Sequence, residues 1–93
     1  MSQYQPDENP GLLEFPCEFP IKAMGLHTDD FDLLVMEIVR RHAPDLGEGA
    51  VSTRPSSNGK YLSVTVSVPA SSQAQLDAIY RDLTGHERVM MAL

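Results

Sequence analysis

RPSSNGKYLSVTVSV, residues 54–68, carries the most regular pattern in the chain. Leu62, Val64, Val66 and Val68 alternate without a break with Tyr61, Ser63, Thr65 and Ser67. Successive side chains of a strand point to opposite faces, so the pattern predicts a strand from Lys60 with one buried face and one polar face. Pro55-Ser56-Ser57-Asn58-Gly59 ahead of it is turn chemistry. Ala50–Arg54 predicts a shorter strand on the other side of that turn. The two make a β-hairpin whose loop is longer than two residues. Pro69 is expected to end the long strand, because proline has no amide hydrogen for the ladder.

A sheet with one apolar face needs something to cover it, and the flanking segments supply two helices. Upstream, Phe31, Leu34, Val35, Ile38 and Val39 recur at the spacing of one helical stripe. Thr28 is expected to cap this helix, with Asp29, Asp30 and Asp32 in its first turn near the positive end of the dipole. Arg40, Arg41 and His42 favour the last turn, where His42 would satisfy terminal carbonyls, and Pro44 stops it. Asp45–Gly49 reads as a loop. Downstream, Ser71 or Ser72 caps a second helix in which Leu76, Ile79, Tyr80 and Leu83 repeat, with Gly85 at the residue after its end.

Glu18–Leu26 predicts a further strand, with Phe19, Ile21 and Ala23 alternating against Pro20, Lys22 and Met24. Pro20 must then lie near the strand start or on an edge that needs no donor. ERVMMAL closes the chain as a last strand, with Val89, Met91 and Leu93 expected on one face. The order β–α–β–β–α–β is the ferredoxin-like pattern, an α+β fold with a four-stranded antiparallel sheet and two helices on one face. The other face would carry Lys22, Met24, Tyr61, Ser63, Thr65 and Ser67. It is either solvated or a protein interface.

The segments LLEFPCEFPIKAMG, IVRRHAP, RPSSNGKYLSVTVSV and ERVMMAL, taken in order, resemble the YbeD-like family of small bacterial proteins of unknown function. The resemblance runs from about Leu12 to the C-terminus. It implies the ferredoxin-like fold, a shape similar to ACT-type regulatory domains, and a link to lipoate metabolism through gene neighbourhood. The chain departs from the family in its longer polar arm, Met1–Gly11.

Composition bounds the function. Ninety-three residues, 42% hydrophobic and 22% charged, make one globular domain, expected over residues 12–93 behind a disordered arm at residues 1–11. Seven basic against thirteen acidic residues give a net charge of −6, which disfavours a phosphate backbone as partner. No apolar run approaches a membrane span and MSQYQPDENP is not a signal peptide, so no membrane association is expected and a cytoplasmic location is. Cys17 is the only cysteine, which excludes an internal disulfide and any CxxC motif. Its neighbours Pro16 and Glu18 do not lower a thiol pKa, so it reads as an inert packed residue. His27, His42 and His86 have no metal-ligand spacing, and neither a metal nor a cofactor is expected. His27 and His86 read as exposed boundary residues.

One stretch stands out as a binding candidate. Arg54, Ser56, Ser57, Asn58, Lys60 and Tyr61 combine two cations, two hydroxyls and a flexible Asn-Gly, from which turn amides could form an anion pocket. The turn chemistry of Asn58 and Gly59 explains the same residues without a ligand. Three function classes follow. The favoured one is a non-catalytic regulatory or interaction module for a protein partner or small metabolite, with a homodimer as one arrangement. An acylphosphatase-like enzyme would need an arginine in the loop after the first strand, and Met24–Asp30 offers carboxylates instead. An RNA-binding domain would need several exposed aromatics where Ser63 and Thr65 stand.

Overall fold

The computed structural model describes residues 14–93. The arm expected over residues 1–11, with Leu12 and Leu13, lies outside the described residues. The order is β1 (Cys17–Leu26), α1 (Phe31–Arg40), a 3-10 turn (Glu48–Ala50), β2 (Val51–Pro55), β3 (Tyr61–Ala70), α2 (Gln73–Thr84) and β4 (Met91–Ala92). The strands form one sheet in the order β2-β3-β1-β4, with every neighbouring pair antiparallel. Each β–α–β half therefore holds two parallel strands that are not adjacent. This is the ferredoxin-like α+β fold that the pattern predicts.

The valines decide which face the helices cover. Val64, Val66 and Val68 of β3 are wholly buried, as are Ile21 and Ala23 opposite Val66 and Val64 in β1. From the helices come Phe31, Val35, Ile38, Val39, Leu76, Ile79 and Leu83. Burying one such aliphatic or aromatic side chain is worth about 1.5–3 kcal/mol, so this single layer dominates the stability. Two prolines fit because each missing donor falls where no strand is paired. Lys22 exchanges both backbone bonds with Leu93, so Pro20, two residues back, faces the same edge, where the described pairing with β4 covers only Lys22–Met24. Pro69 does not end β3, as its position suggested. Its nitrogen faces the β2 side, where pairing stops at Val51 opposite Val66.

Several local expectations are corrected. Thr28 is not the helix cap. Asp30 occupies that position and makes no capping bond, because its carboxylate is taken by Arg88 and Thr28. Of the three aspartates only Asp32 lies in the first turn of α1. Met36 joins the buried stripe while Leu34 is half-buried. Leu46, placed in a loop, is buried, and Arg40 Nε donates to its carbonyl at 3.3 Å. β2 starts at Val51, since Ala50 belongs to the 3-10 turn. Of the two serines expected as caps of α2, Ser72 takes the place, its hydroxyl accepting the Gln75 amide at 3.1 Å. Gly85 ends α2 in the right-handed region at φ −80°, so it is not a left-handed cap; a Cβ there would meet the Arg81 carbonyl at 3.0 Å.

β4 differs most. Met90 donates to the Met24 carbonyl at 2.8 Å while Met91 is the register partner of Met24. Two residues opposite one is a β-bulge, and it breaks the alternation. Val89 is buried before the strand, and Ala92 packs on the core opposite Ala23. Met91 and Leu93 therefore lie on the face away from Val89, opposite Met24 and Lys22.

The Asp30–Arg88 pair fastens the start of α1 to the segment before β4, with Arg88 Nη2 at 2.7 Å from Asp30 Oδ1 and 2.6 Å from Thr28 Oγ1. The Arg88 hydrogen bond, with that of Thr28, lowers the Asp30 carboxyl from 3.8 to about 2. A lowered folded-state pKa means that stability from this pair is fully present above pH 3.8 and is lost as pH falls through about 2. Asp30→Asn should be less stable than the parent at neutral pH, and the two should converge towards pH 2. Urea unfolding across that range checks it; a gap unchanged at the acid end would contradict the assignment.

Candidate binding surface

The hairpin loop is built from its own polar groups. Ser56 donates its amide to the Tyr61 carbonyl at 2.8 Å, and Gly59 donates to the Ser56 carbonyl at 2.9 Å. The Ser56 hydroxyl accepts the Tyr61 amide at 3.0 Å and donates to Asn58 Oδ1 at 2.9 Å. Asn58 Oδ1 also accepts the Lys60 amide at 3.0 Å. Gly59, at φ 75°, supplies the left-handed residue that closes the loop. Four turn amides are thus used internally, and those of Ser57 and Asn58 have no partner among the described residues. His27 braces the loop from β1: its amide donates to the Lys60 carbonyl at 2.8 Å and its Nδ1 lies 3.2 Å from the Gly59 carbonyl.

Of the six residues singled out in the sequence, Arg54, Ser56, Ser57 and Tyr61 line one groove of about 380 Å³ with Met24, Pro55 and Ser63. Asn58 and Lys60 are not part of its wall. Asn58 holds the turn, and the Lys60 ammonium lies 5.5 Å from the Tyr61 ring centroid, a cation–π distance. The groove opens onto the sheet face that the helices leave uncovered. Register places Arg54, Ser63, Met24 and Met91 in one row across all four strands. The next row runs Ser52, Thr65, Lys22 and Leu93. Tyr61 and Leu26 form a third row.

Charge on this face is the reverse of the molecule's. Lys22 and Arg54 stand on its strands, and Lys60, one residue before Tyr61 and so on the Leu62 side of the strand, brings its ammonium to the Tyr61 ring at the hairpin end. Among the described residues the two ion pairs are His42–Asp82 and Arg88–Asp30, and neither involves these three cations. One carboxylate, Glu18, lies on the strands, and it accepts the Ser67 hydroxyl. Apart from Glu14, the remaining described carboxylates lie on helices or in the loops joining them. Towards β4 the face turns apolar, with Leu26, Met91 and Leu93 exposed by 54%, 50% and 66%. The sequence reading missed this part, because the bulge at Met90 hides which way Met91 and Leu93 point.

The sheet edges offer less. Ser56 bonds towards β3, so alternation turns Val51, Thr53 and Pro55 outward. Pro55 has no donor, and the Val51 amide is bonded to Glu48. Thr53 alone on this edge presents both groups to a neighbour. β4 is two residues long, with Ala92 facing outward. Short or proline-blocked edges discourage strand addition.

The histidines are spread out and structurally engaged. His42 Nε2 lies 2.6 Å from Asp82 Oδ2 and fastens α1 to α2, so its partner is a side chain rather than the terminal carbonyls of its own helix. That bond lowers the Asp82 carboxyl below its usual value. His86 Nδ1 accepts the Arg88 amide at 3.1 Å and is half-buried rather than exposed, whereas His27 is the exposed boundary residue expected and also holds the hairpin. Among the described residues no three His, Cys, Asp or Glu gather as a metal site. The loop after β1 does receive an arginine, Arg88, but its guanidinium is paired with Asp30. No described helix is long and apolar enough to cross a membrane.

These features define a class: a small α+β protein with a two-helix layer on one side of its sheet and an open, locally basic face on the other. Comparison with known proteins makes this specific. Residues 10–93 match the family described as Protein of unknown function (DUF493). The chain is 52% identical over 87 residues to the UPF0250 protein of Chromobacterium violaceum, covering 94% of this chain and 98% of that one. It is 46% identical over 93 residues to the UPF0250 protein of Janthinobacterium sp., covering 100% of both. The chain belongs to this DUF493/UPF0250 family of small bacterial proteins, in agreement with its YbeD-like resemblance. In fold it is similar to the solution structure of protein HP0495 from H. pylori, with a TM-score of 0.72 at 16% identity over 100% of this chain and 98% of that one.

Proposed function

We propose that the protein is a cytoplasmic, non-catalytic regulatory or interaction module that binds a protein partner or small metabolite through the open sheet face, centred on the Arg54–Tyr61 groove. One observation carries this reading: two cations, Lys22 and Arg54, stand on one face with no carboxylate partner among the described residues, with Lys60 at the hairpin beside Tyr61, in a chain whose net charge is −6. Scattered surface charges need no explanation, but a segregated set opposite to the net charge raises the local concentration of an anionic partner. The mixed character of the face, with Met24 and Tyr61 half-buried beside Arg54, suits recognition of a group that is anionic at one end.

The test is an amide NMR titration of the labelled chain against amino acids, nucleotides, octanoate, lipoate and hexaglutamate. Octanoate and lipoate are included because the family resemblance links it to lipoate metabolism. Anionic members should shift amides at Met24, Arg54, Tyr61 and Ser63. Arg54→Glu with Lys60→Glu should abolish those shifts while changing stability by less than about 0.5 kcal/mol, the usual range for exposed positions. Shifts that survive the double reversal, or a face silent to every anion, would sink the proposal.

A further inference from the structure

The open face is divided in a way that specifies its partner further. Its cations are Arg54 on β2 and Lys22 on β1 in neighbouring rows, with the Lys60 ammonium beside the Tyr61 ring at the hairpin. Its exposed apolar side chains, Leu26, Met91 and Leu93, lie along β1 and β4. The surface is broad and open. A small molecule gains affinity by being enclosed, and the one groove described on this face, at Arg54 and Tyr61, takes in Met24 but not the exposed Leu26, Met91 and Leu93. The edges do not favour strand addition either, since Pro55, the bonded Val51 amide and the two-residue β4 leave little ladder to extend.

We infer that the occupant is an acidic amphipathic segment of another protein, laid on the sheet face with its carboxylates towards Arg54 and Lys22 and its apolar side chains on Leu26, Met91 and Leu93. The inference rests on the open face being the binding surface. Charge complementarity argues for it in two ways. Carboxylates of the segment find cations with no ion-pair partner among the described residues, and the acidic helical side repels the same segment, so one face is selected. The dimensions agree. Neighbouring strands lie about 4.8 Å apart, so four of them span roughly 14 Å, enough for one helix of about 10–12 Å. That full width holds over the Arg54–Met91 and Ser52–Leu93 rows, while the two central ten-residue strands, β1 and β3, run on for about 33 Å, the length of a helix of some twenty residues at 1.5 Å each.

The experiment uses the full chain, labelled for amide NMR, and three synthetic peptides. One is a Leu/Glu amphipathic helix, one has its Glu replaced by Lys, and one has its Leu replaced by Ser. The Leu/Glu peptide should shift Lys22, Met24, Arg54, Ser63 and Met91, bind at least about tenfold more tightly than either other peptide, and weaken with added salt. Lys22→Glu with Arg54→Glu should remove its binding, and Met91→Ser should weaken it with the charges left in place. Equal binding of the Glu and Lys peptides, or shifts confined to α1 and α2, would overturn the inference. So would a concentration-dependent dimer that buries the same face, or a preference for single-stranded RNA over the peptide. Hexaglutamate separates the two levels. Shifts from hexaglutamate without selective peptide binding reject the amphipathic partner and leave the face as the site, whereas silence to hexaglutamate and all three peptides rejects both.

Discussion

Phe31→Ala should lower stability by about 3–5 kcal/mol, the range for removing a large aromatic from a packed core. Phe31 is the first residue of α1 and is wholly buried. Its ring closes the end of the core where β1 gives way to the helix, lying against the backbone of Gly25. A small domain has about 5–15 kcal/mol in total, so this one change removes a large share. Urea unfolding should show a lower midpoint with an unchanged slope, the sign of lost stability rather than an altered denatured state. Phe31→Leu should recover more than half of the loss. A cost below about 1 kcal/mol for the alanine variant would mean that the ring is not packed as described.

Gly25→Ala attacks the same junction by adding an atom. A Cβ at Gly25 would overlap the Arg88 carbonyl oxygen and lie 2.7 Å from Phe31 Cε1 and Cζ. The ring could shift at some cost in packing, but the carbonyl belongs to the backbone segment that leads into β4. The expected loss is about 3 kcal/mol, the upper part of the overpacking range. At about 4–8 °C per kcal/mol for a domain of this size, the melting temperature should fall by at least about 12 °C. In a Phe31→Ala background the ring clash disappears and the carbonyl clash remains. The two losses should then sum to less than their separate values by about 1 kcal/mol, which a double-mutant cycle measures. Strict additivity would show that the ring and the glycine do not share this contact.

Both variants concern a contact that period-two and period-3.6 patterns cannot reveal. Those patterns place side chains on faces, and they did so for Leu62, Val64, Val66 and Val68 and for most of the α1 stripe. Gly25 is invisible to them because it has no side chain to assign. Long-range polar pairs were equally out of reach. Arg88 is 58 residues from Asp30 and His42 is 40 from Asp82, and each pair changed the role that local capping rules predict. In the candidate surface, Arg54, Ser56, Ser57 and Tyr61 were legible because turn and strand place them close in sequence as well as in space. Pro55 was read as turn chemistry alone. Met91 and Leu93 were assigned to the wrong face because one extra residue in β4 inverts every side chain beyond it.

The alternation of β3 has an evolutionary consequence. Residues facing the helices hold the molecule together, and their neighbours one position along meet only what arrives from outside. Substitution at Arg54, Ser63, Lys22 or Met91 leaves the packing of the helices undisturbed, so the open face can drift, lose one acquaintance and gain another within a single scaffold. Divergence among relatives should therefore concentrate on alternate letters of the same strands, and a change of allegiance would leave the architecture intact.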